Sequence, residues 1–243
     1  IAKKAGIPVK VSHSHSTNDG GIRYGNIKDI TRNLYLKYSR RLICINADIL
    51  LGCGEEAGNY LYGNRVFAEK GILIKNGINI DKYHFNKRTR NVIREQYGFN
   101  NEKIYGCIGH FDRVKNHTFL IDIFEKIHMI DKKAILVLLG EGKLRQEIEH
   151  LCKDKHLEPY VVFMGNVNNV NEWLQAMDFL LMPSLYEGIP LTLIEAQASG
   201  IKCFVSDRVA KEANVTGEIT YIPLNVDKWV ELMQGCIDYN RTE

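Results

Sequence analysis

Residues 178–207, DFLLMPSLYEGIPLTLIEAQASGIKCFVSD, restrict the fold more than any other stretch of the chain. The apolar run at 178–182 is too brief for a helix and is closed by Pro183, so it reads as a strand. Residues 184–189 form a loop. Pro190 suits the first helical position, where a missing N–H costs nothing, and Gly200 stops the helix where glycine is favoured. Residues 202–206 read as strand again. A strand–helix–strand unit of this length predicts two parallel strands joined by a right-handed crossover.

The same rhythm runs through residues 91–240. Strands are predicted at 104–109, 134–139, 161–164, 179–182, 202–206 and 218–221. Helices are predicted at 115–129, 143–155, 169–177, 190–199 and 227–239, with a short one near 209–214. The strands are apolar throughout rather than alternating, as expected when both faces of a parallel sheet are covered. The fold class is therefore α/β with a doubly wound parallel sheet. In such sheets the ligand crevice lies beyond the carboxyl ends of the strands, so the loop after each strand is where chemistry is sought.

Residues 1–90 read as the latter part of another domain. A strand is expected at 7–12, a polar loop at 14–25 and a helix at 27–46, with Ile30, Leu34, Tyr38, Leu42 and Ile45 on one face at helical spacing. A strand at 48–53, a helix at 55–61 and a strand at 72–75 follow, running into the turn signal Asn76-Gly77. Residues 78–89 are polar and read as an irregular interdomain linker. The expected division is 1–85 and 86–243. Too few strands precede residue 76 for a complete doubly wound domain, so the chain is expected to be a piece of a longer one.

Composition excludes several classes. The chain has 243 residues, 45% of them hydrophobic and 25% charged, as in ordinary globular proteins. No run reaches the roughly 18 apolar residues of a membrane span, and no signal-peptide pattern opens the sequence. Six cysteines are scattered without a C-x-x-C pair, which reads as buried free thiols in a reducing compartment, hence a cytoplasmic location. The net charge of +3 is unevenly spread: residues 1–90 hold 16 Lys+Arg against 7 Asp+Glu, and residues 91–243 hold 16 against 22. A basic front half suits an acidic membrane surface or a lipid phosphate, or is simply a solvated basic helix. Nucleic acid is not expected, because bases need aromatic platforms beside the cations and helical spacing places Tyr35 and Tyr38 in the core.

Within the constraining stretch stand two carboxylates, Glu187 in the loop and Glu195 in the helix. The loop between them feeds a helix N-terminus, where free N–H groups and the helix dipole favour an anion. A carboxylate beside an anion makes sense if it accepts from hydroxyls. One glutamate then holds a sugar and the other a ribose, with phosphates between them; otherwise both are solvated residues near a helix start. Upstream, GHFDRVKN at 109–116 follows a strand. Gly109 lets the backbone approach a ligand, and Lys115 beside a helix N-terminus opposes the dipole unless an anion lies between. The glycines of LLGEG (138–142) and of Gly52-Cys53-Gly54 lack the third glycine of a dinucleotide fingerprint, so no nicotinamide or flavin is expected. The loop MGNVNNVNEWL (164–174), which contains Gly165, offers backbone groups to a base edge. His13 and His15 alternate at a strand end with no third histidine close by, so no metal is expected there.

SLYEGIPLTLIEAQASG resembles the donor-site motif of retaining, family-four glycosyltransferases of the GT-B fold, with Glu, seven residues, then Glu. It is most like the group that builds bacterial capsular polysaccharides and exopolysaccharides. The resemblance implies two Rossmann-like domains, the N-terminal, acceptor-side one incomplete here and the C-terminal one binding the donor. Glu187 would contact the transferred sugar and Glu195 the nucleotide ribose, with the backbone of Gly188, Ile189, Pro190 and Leu191 facing sugar and diphosphate. Lys115 matches the family's diphosphate lysine. His110 stands where the family has arginine, and Arg113 lies nearby as a substitute. Gly109 and Gly165 would border the donor, the Gly165 segment cupping the base. His13, or alternatively His15, matches a histidine near the reacting sugar, so Glu187, Lys115 and His13 are the expected catalytic residues. The implied reaction moves a hexose-type sugar from a UDP- or GDP-linked donor to a saccharide or lipid-linked acceptor, with retention and without metal or other cofactor. It would occur in the cytoplasm, with a peripheral position on the inner face of the membrane. The histidine at position 110 keeps open a non-catalytic nucleotide-sugar-binding or scaffold protein of the same fold.

Overall fold

A computed structural model of the protein describes residues 5–15, 27–236, 239 and 241. Most of the loop expected at 14–25 lies outside them. The chain divides into two compact units, Ile1–Gly77 and Ile78–Glu243.

The first unit runs β1 (Val11–Ser14), α1 (Ile27–Asn46), β2 (Ile49–Gly52), α2 (Glu55–Tyr62), α3 (Asn64–Lys70) and β3 (Gly71–Leu73). Its strands are parallel in the order β1-β2-β3, with His13 opposite Leu51. The first strand begins at Val11 rather than residue 7, and α3 was not foreseen. The core is small and centres on Leu50, Tyr62 and Phe67. The Phe67 ring fills space left by glycines: a Cβ at Gly52, Gly58 or Gly71 would come within 2.8, 2.3 or 2.0 Å of it. The Tyr62 hydroxyl donates to the Ser12 carbonyl at 2.8 Å, tying α2 to β1. One expectation is corrected here. Ile30, Leu34, Tyr38, Leu42 and Ile45 are exposed, as is Tyr35, and α1 packs on the core through Ile43 and Cys44 instead. Three short strands give a 20-residue helix little surface to cover, so only its last turns are packed there.

The second unit carries α4 (Lys87–Gln96), β4 (Ile104–Ile108), α5 (His117–Ile130), β5 (Ile135–Leu139), α6 (Arg145–Asp154), β6 (Val161–Gly165), α7 (Val170–Ala176), β7 (Phe179–Met182), α8 (Leu191–Ala198), β8 (Lys202–Ser206), β9 (Ile219–Ile222) and α9 (Val226–Gln234). Its strands form one parallel sheet in the order β6-β5-β4-β7-β8-β9. Successive residues of each strand face alternately into two cores. Leu136 and Leu138 join Leu120, Phe124 and Trp229 under α5, α6 and α9. Val137 and Leu139 join Trp173, Leu180 and Leu193 under α4, α7 and α8. The winding reverses between β4 and β7, which pair with Tyr105 opposite Phe179, and ligands of open α/β sheets bind beyond the carboxyl ends of strands at such a switch.

The segment expected as an irregular linker belongs to the second unit and is ordered. It contains a 3-10 turn at Ile80–Lys82, opened by the Asn79 side chain, and the first turn of α4. Helix α4, KRTRNVIREQ, escaped the sequence reading because it is held by charge rather than by an apolar stripe. Arg90 and Arg94 reach the buried carboxylate of Asp178, which also accepts from the Ile104 N–H at 2.8 Å. Arg241, also buried, donates to the carbonyls of Met177 and Ser199. Burial pulls its guanidinium down to about 10. The final helix ends at Gln234, short of residue 239, and Pro190 precedes α8 in an extended conformation rather than opening it. The six cysteines are free; burial pushes the thiols of Cys152 and Cys203 up to about 12.

Candidate functional site

Neighbouring strands β4 and β7 bring their two following loops together. The Leu185 N–H donates to the Val114 carbonyl at 2.8 Å, and the Asn116 side-chain amide donates to the Pro183 carbonyl at 3.2 Å. Asn116 takes a left-handed conformation (φ 57°), which asparagine tolerates, as the chain turns into α5. Across this junction Lys115 Nζ lies 2.8 Å from Glu187 Oε1, with the two side chains only 15% and 19% exposed. The lysine stem runs over Gly109, where a Cβ would sit 2.6 Å from Lys115 Cε. The backbone of Glu187 is fixed from the other side, because its carbonyl accepts from the Ala210 N–H at 3.0 Å. The structure thus joins two residues 72 positions apart that were singled out separately in the sequence.

Gly188, Ile189 and Pro190 lead directly from Glu187 into α8, which Leu191 begins. No side chain among the described residues caps this helix start; the Leu193 N–H turns back to the Pro190 carbonyl at 3.0 Å, which leaves the N–H groups of Leu191 and Thr192 for an anion. Glu195 lies one turn further on, half-buried, and its Oε1 accepts from the Tyr83 hydroxyl at 2.7 Å. Burial and the adjoining carboxylate push the Tyr83 phenol up to about 12.

A cavity of about 160 Å³ is walled by Gly109, under the Lys115 stem, and by His110, Gly140, Asn166, Val167 and Val170 among others. Its lining includes neither Lys115, Glu187, Glu195 nor Gly165. The strand ends around it abut through main chain. A Cβ on Gly140 (φ 136°) would stand 2.0 Å from the Gly109 carbonyl oxygen, and one on Gly142 would stand 2.5 Å from that of Phe111. The Gly140 N–H donates to the carbonyl of Gly165, itself left-handed at φ 67°. The glycines of LLGEG therefore permit close packing of loops. His110 is exposed, and its Nδ1 lies 2.9 Å from the Glu141 carbonyl. That nitrogen must carry its proton to donate there, which leaves Nε2 toward solvent. Arg113 is exposed as well.

His117, the first residue of α5, was not singled out in the sequence. It is 2% exposed, stacks on Phe111 with ring centroids 4.2 Å apart, and its Nδ1 has no partner among the described atoms. Burial pulls it down to about 4. Tyr83 also went unnoticed: a tyrosine 112 residues from Glu195 in a polar segment carries no pattern. His13 belongs to the first unit, exposed on β1 with its ring 3.9 Å from that of His15. Burial, and then His15, lower its pKa. No cluster of three or more His, Cys, Asp or Glu side chains among the described residues has the form of a metal site.

The parallel six-stranded sheet, its switch point between β4 and β7, and the second, smaller parallel α/β unit make this a GT-B fold of which the chain covers a part. Residues 102–238 match the family model described as glycosyl transferases group 1, and the chain belongs to that family. A putative glycosyltransferase, EpsF, of Bacillus subtilis is 36% identical over 236 residues, covering 95% of this chain and 60% of that protein. The capsular polysaccharide biosynthesis glycosyltransferase CapH of Staphylococcus aureus is 26% identical, covering 81% of this chain and 52% of that one. Among solved structures, Anabaena HepE in complex with UDP-glucose superposes with a TM-score of 0.78 at 18% identity, covering 94% of this chain and 62% of that one. The chain thus spans between about half and three fifths of the length of these relatives.

Proposed function

We propose that this chain forms the donor-binding part of a retaining, metal-independent glycosyltransferase. It would move a hexose-type sugar from a UDP- or GDP-linked donor to a saccharide or lipid-linked acceptor in surface polysaccharide synthesis. The observation that carries this reading is the Lys115–Glu187 pair at the β4–β7 switch point, immediately before the uncapped start of α8. A lysine, open helix N–H groups and a carboxylate converge there, which suits a sugar diphosphate: cation and N–H groups on the phosphates, carboxylate on hydroxyls. In the proposed mechanism the anomeric carbon gains oxocarbenium character while negative charge grows on the departing diphosphate. Lys115 and the start of α8 stabilise that charge, with His110 or Arg113 assisting from the rim. Glu187 orients the sugar, Glu195 holds the ribose, and His13 acts near the transferred sugar. The names of the relatives support the reading: HepE was solved with UDP-glucose, and CapH is named for capsular polysaccharide biosynthesis.

Among the described residues no helix is long and apolar enough to cross a membrane. We place the protein in the cytoplasm, with the basic front half resting on an acidic inner membrane face. The deciding experiment titrates UDP- and GDP-sugars into the chain and then follows donor turnover in a full-length version. Lys115→Ala and Glu187→Ala should each lower turnover about a hundredfold. Unchanged rates in both would refute the site. The exposed His110, standing where the family has arginine, favours a second reading as a nucleotide-sugar-binding protein without turnover. Donor binding with no transfer or hydrolysis in the full-length protein would select it.

A further inference from the structure

Tyr83 holds the carboxylate of Glu195 from a position that no motif marks. Its hydroxyl donates to Glu195 Oε1 at 2.7 Å, within the short range of bonds to an ionised acceptor. The ring packs against the core beneath α7 and α8. The backbone is anchored on both sides of the ring. Gln175, 2% exposed, donates from Nε2 to the Tyr83 carbonyl at 3.1 Å and accepts from the Asn86 N–H at 3.0 Å. On the other side, the 3-10 turn at Ile80–Lys82 closes with the Tyr83 N–H on the Ile80 carbonyl at 2.8 Å. With its phenol raised to about 12, Tyr83 remains a donor through the whole working range of pH. A carboxylate offers about four acceptor positions on its two oxygens. An anchored phenol on Oε1 stops rotation of the group and leaves Oε2 free for two hydroxyls.

We propose that Tyr83 is a positioning residue for nucleotide recognition, fixing Glu195 so that its free oxygen meets the vicinal 2′- and 3′-hydroxyls of a ribonucleoside diphosphate. This rests on the reading of Glu195 as the ribose-binding residue. A group already held in its bound orientation loses less freedom on binding, so release of the carboxylate should weaken the grip on ribose and nothing else.

The test is calorimetric titration of the full chain with uridine and guanosine diphosphates, each beside its 2′,3′-dideoxy form. Wild type, Tyr83→Phe and Glu195→Gln are compared. Tyr83→Phe keeps the ring and removes only the hydroxyl. It should weaken the accepted ribonucleotide by about threefold to tenfold and change the dideoxy form by less than about twofold. Equal weakening of both forms would mean that Tyr83 merely supports the fold and would overturn the proposal, as would unchanged ribonucleotide affinity. Wild type that binds ribo and dideoxy forms alike, with Glu195→Gln equally indifferent, would overturn it at a separate point by removing Glu195 from the ribose. Absence of any diphosphate binding would remove the donor site itself, and the proposal with it.

Discussion

His117 offers the sharpest physical test of the loop that carries Lys115. Its ring is enclosed at the start of α5 and its pKa falls from 6.5 to about 4, first through burial, against a smaller upward pull from Asp112 and with a smaller downward push from Lys115. The unfolded chain therefore takes up a proton near 6.5 that the folded protein refuses until about 4. The stability associated with neutral His117 is complete above 6.5 and is lost as the pH falls from there toward 4. At about 1.4 kcal/mol for each pH unit, the whole effect is about 3 kcal/mol, of which about 2 kcal/mol is gone by about pH 5. His117→Phe removes the titration while keeping a flat ring against Phe111, and it deletes an unpaired buried nitrogen. Urea unfolding of both proteins between about pH 7.5 and about pH 5 should show the wild type losing about 2 kcal/mol relative to the variant. Subtracting the variant cancels every carboxylate common to the two. A difference that stays flat to within about 0.5 kcal/mol over this interval would refute the reasoning. So would a His117 imidazole resonance titrating near its ordinary value.

Other outcomes follow from the same geometry. His110→Arg places a permanent charge on the rim of the proposed diphosphate site and should tighten nucleoside diphosphate binding at neutral pH, by calorimetry; unchanged affinity removes position 110 from the phosphates. Gly140→Ala puts a Cβ 2.0 Å from the Gly109 oxygen at a backbone angle that suits glycine, so thermal unfolding should reveal a loss of more than about 2 kcal/mol. Asp178→Ala leaves Arg90 and Arg94 without their buried partner and should cost about 3 kcal/mol or more in denaturant unfolding. His13→Ala in a full-length protein should lower turnover while leaving diphosphate affinity in place, measured by donor titration.

The sheet of the second unit was legible because its strands are short apolar runs with sharp ends: β7 and β8 begin and end where the sequence places them. Helix α4 was illegible for the opposite reason. Its contacts are guanidinium groups on carbonyls and on Asp178, and hydrophobic periodicity does not register that kind of packing. Periodicity misled in α1, whose regular apolar row is exposed although its spacing is helical. At the candidate site, Lys115 stood out as a cation set against a helix dipole and Glu187 as a carboxylate beside an anion site, and the fold brings them into one ion pair. Tyr83 and His117 gave no such signal, since what distinguishes them is a partner, or the lack of one, in three dimensions.

The abutting glycines around the cavity settle where variation is possible. At Gly140 the wall is bare main chain with no room for even a methyl group, so substitution there deforms the fold before it alters the shape of the hollow. Asn166, Val167 and Val170 line the same hollow with side chains. The shape of the hollow is therefore changed most simply through those three side chains.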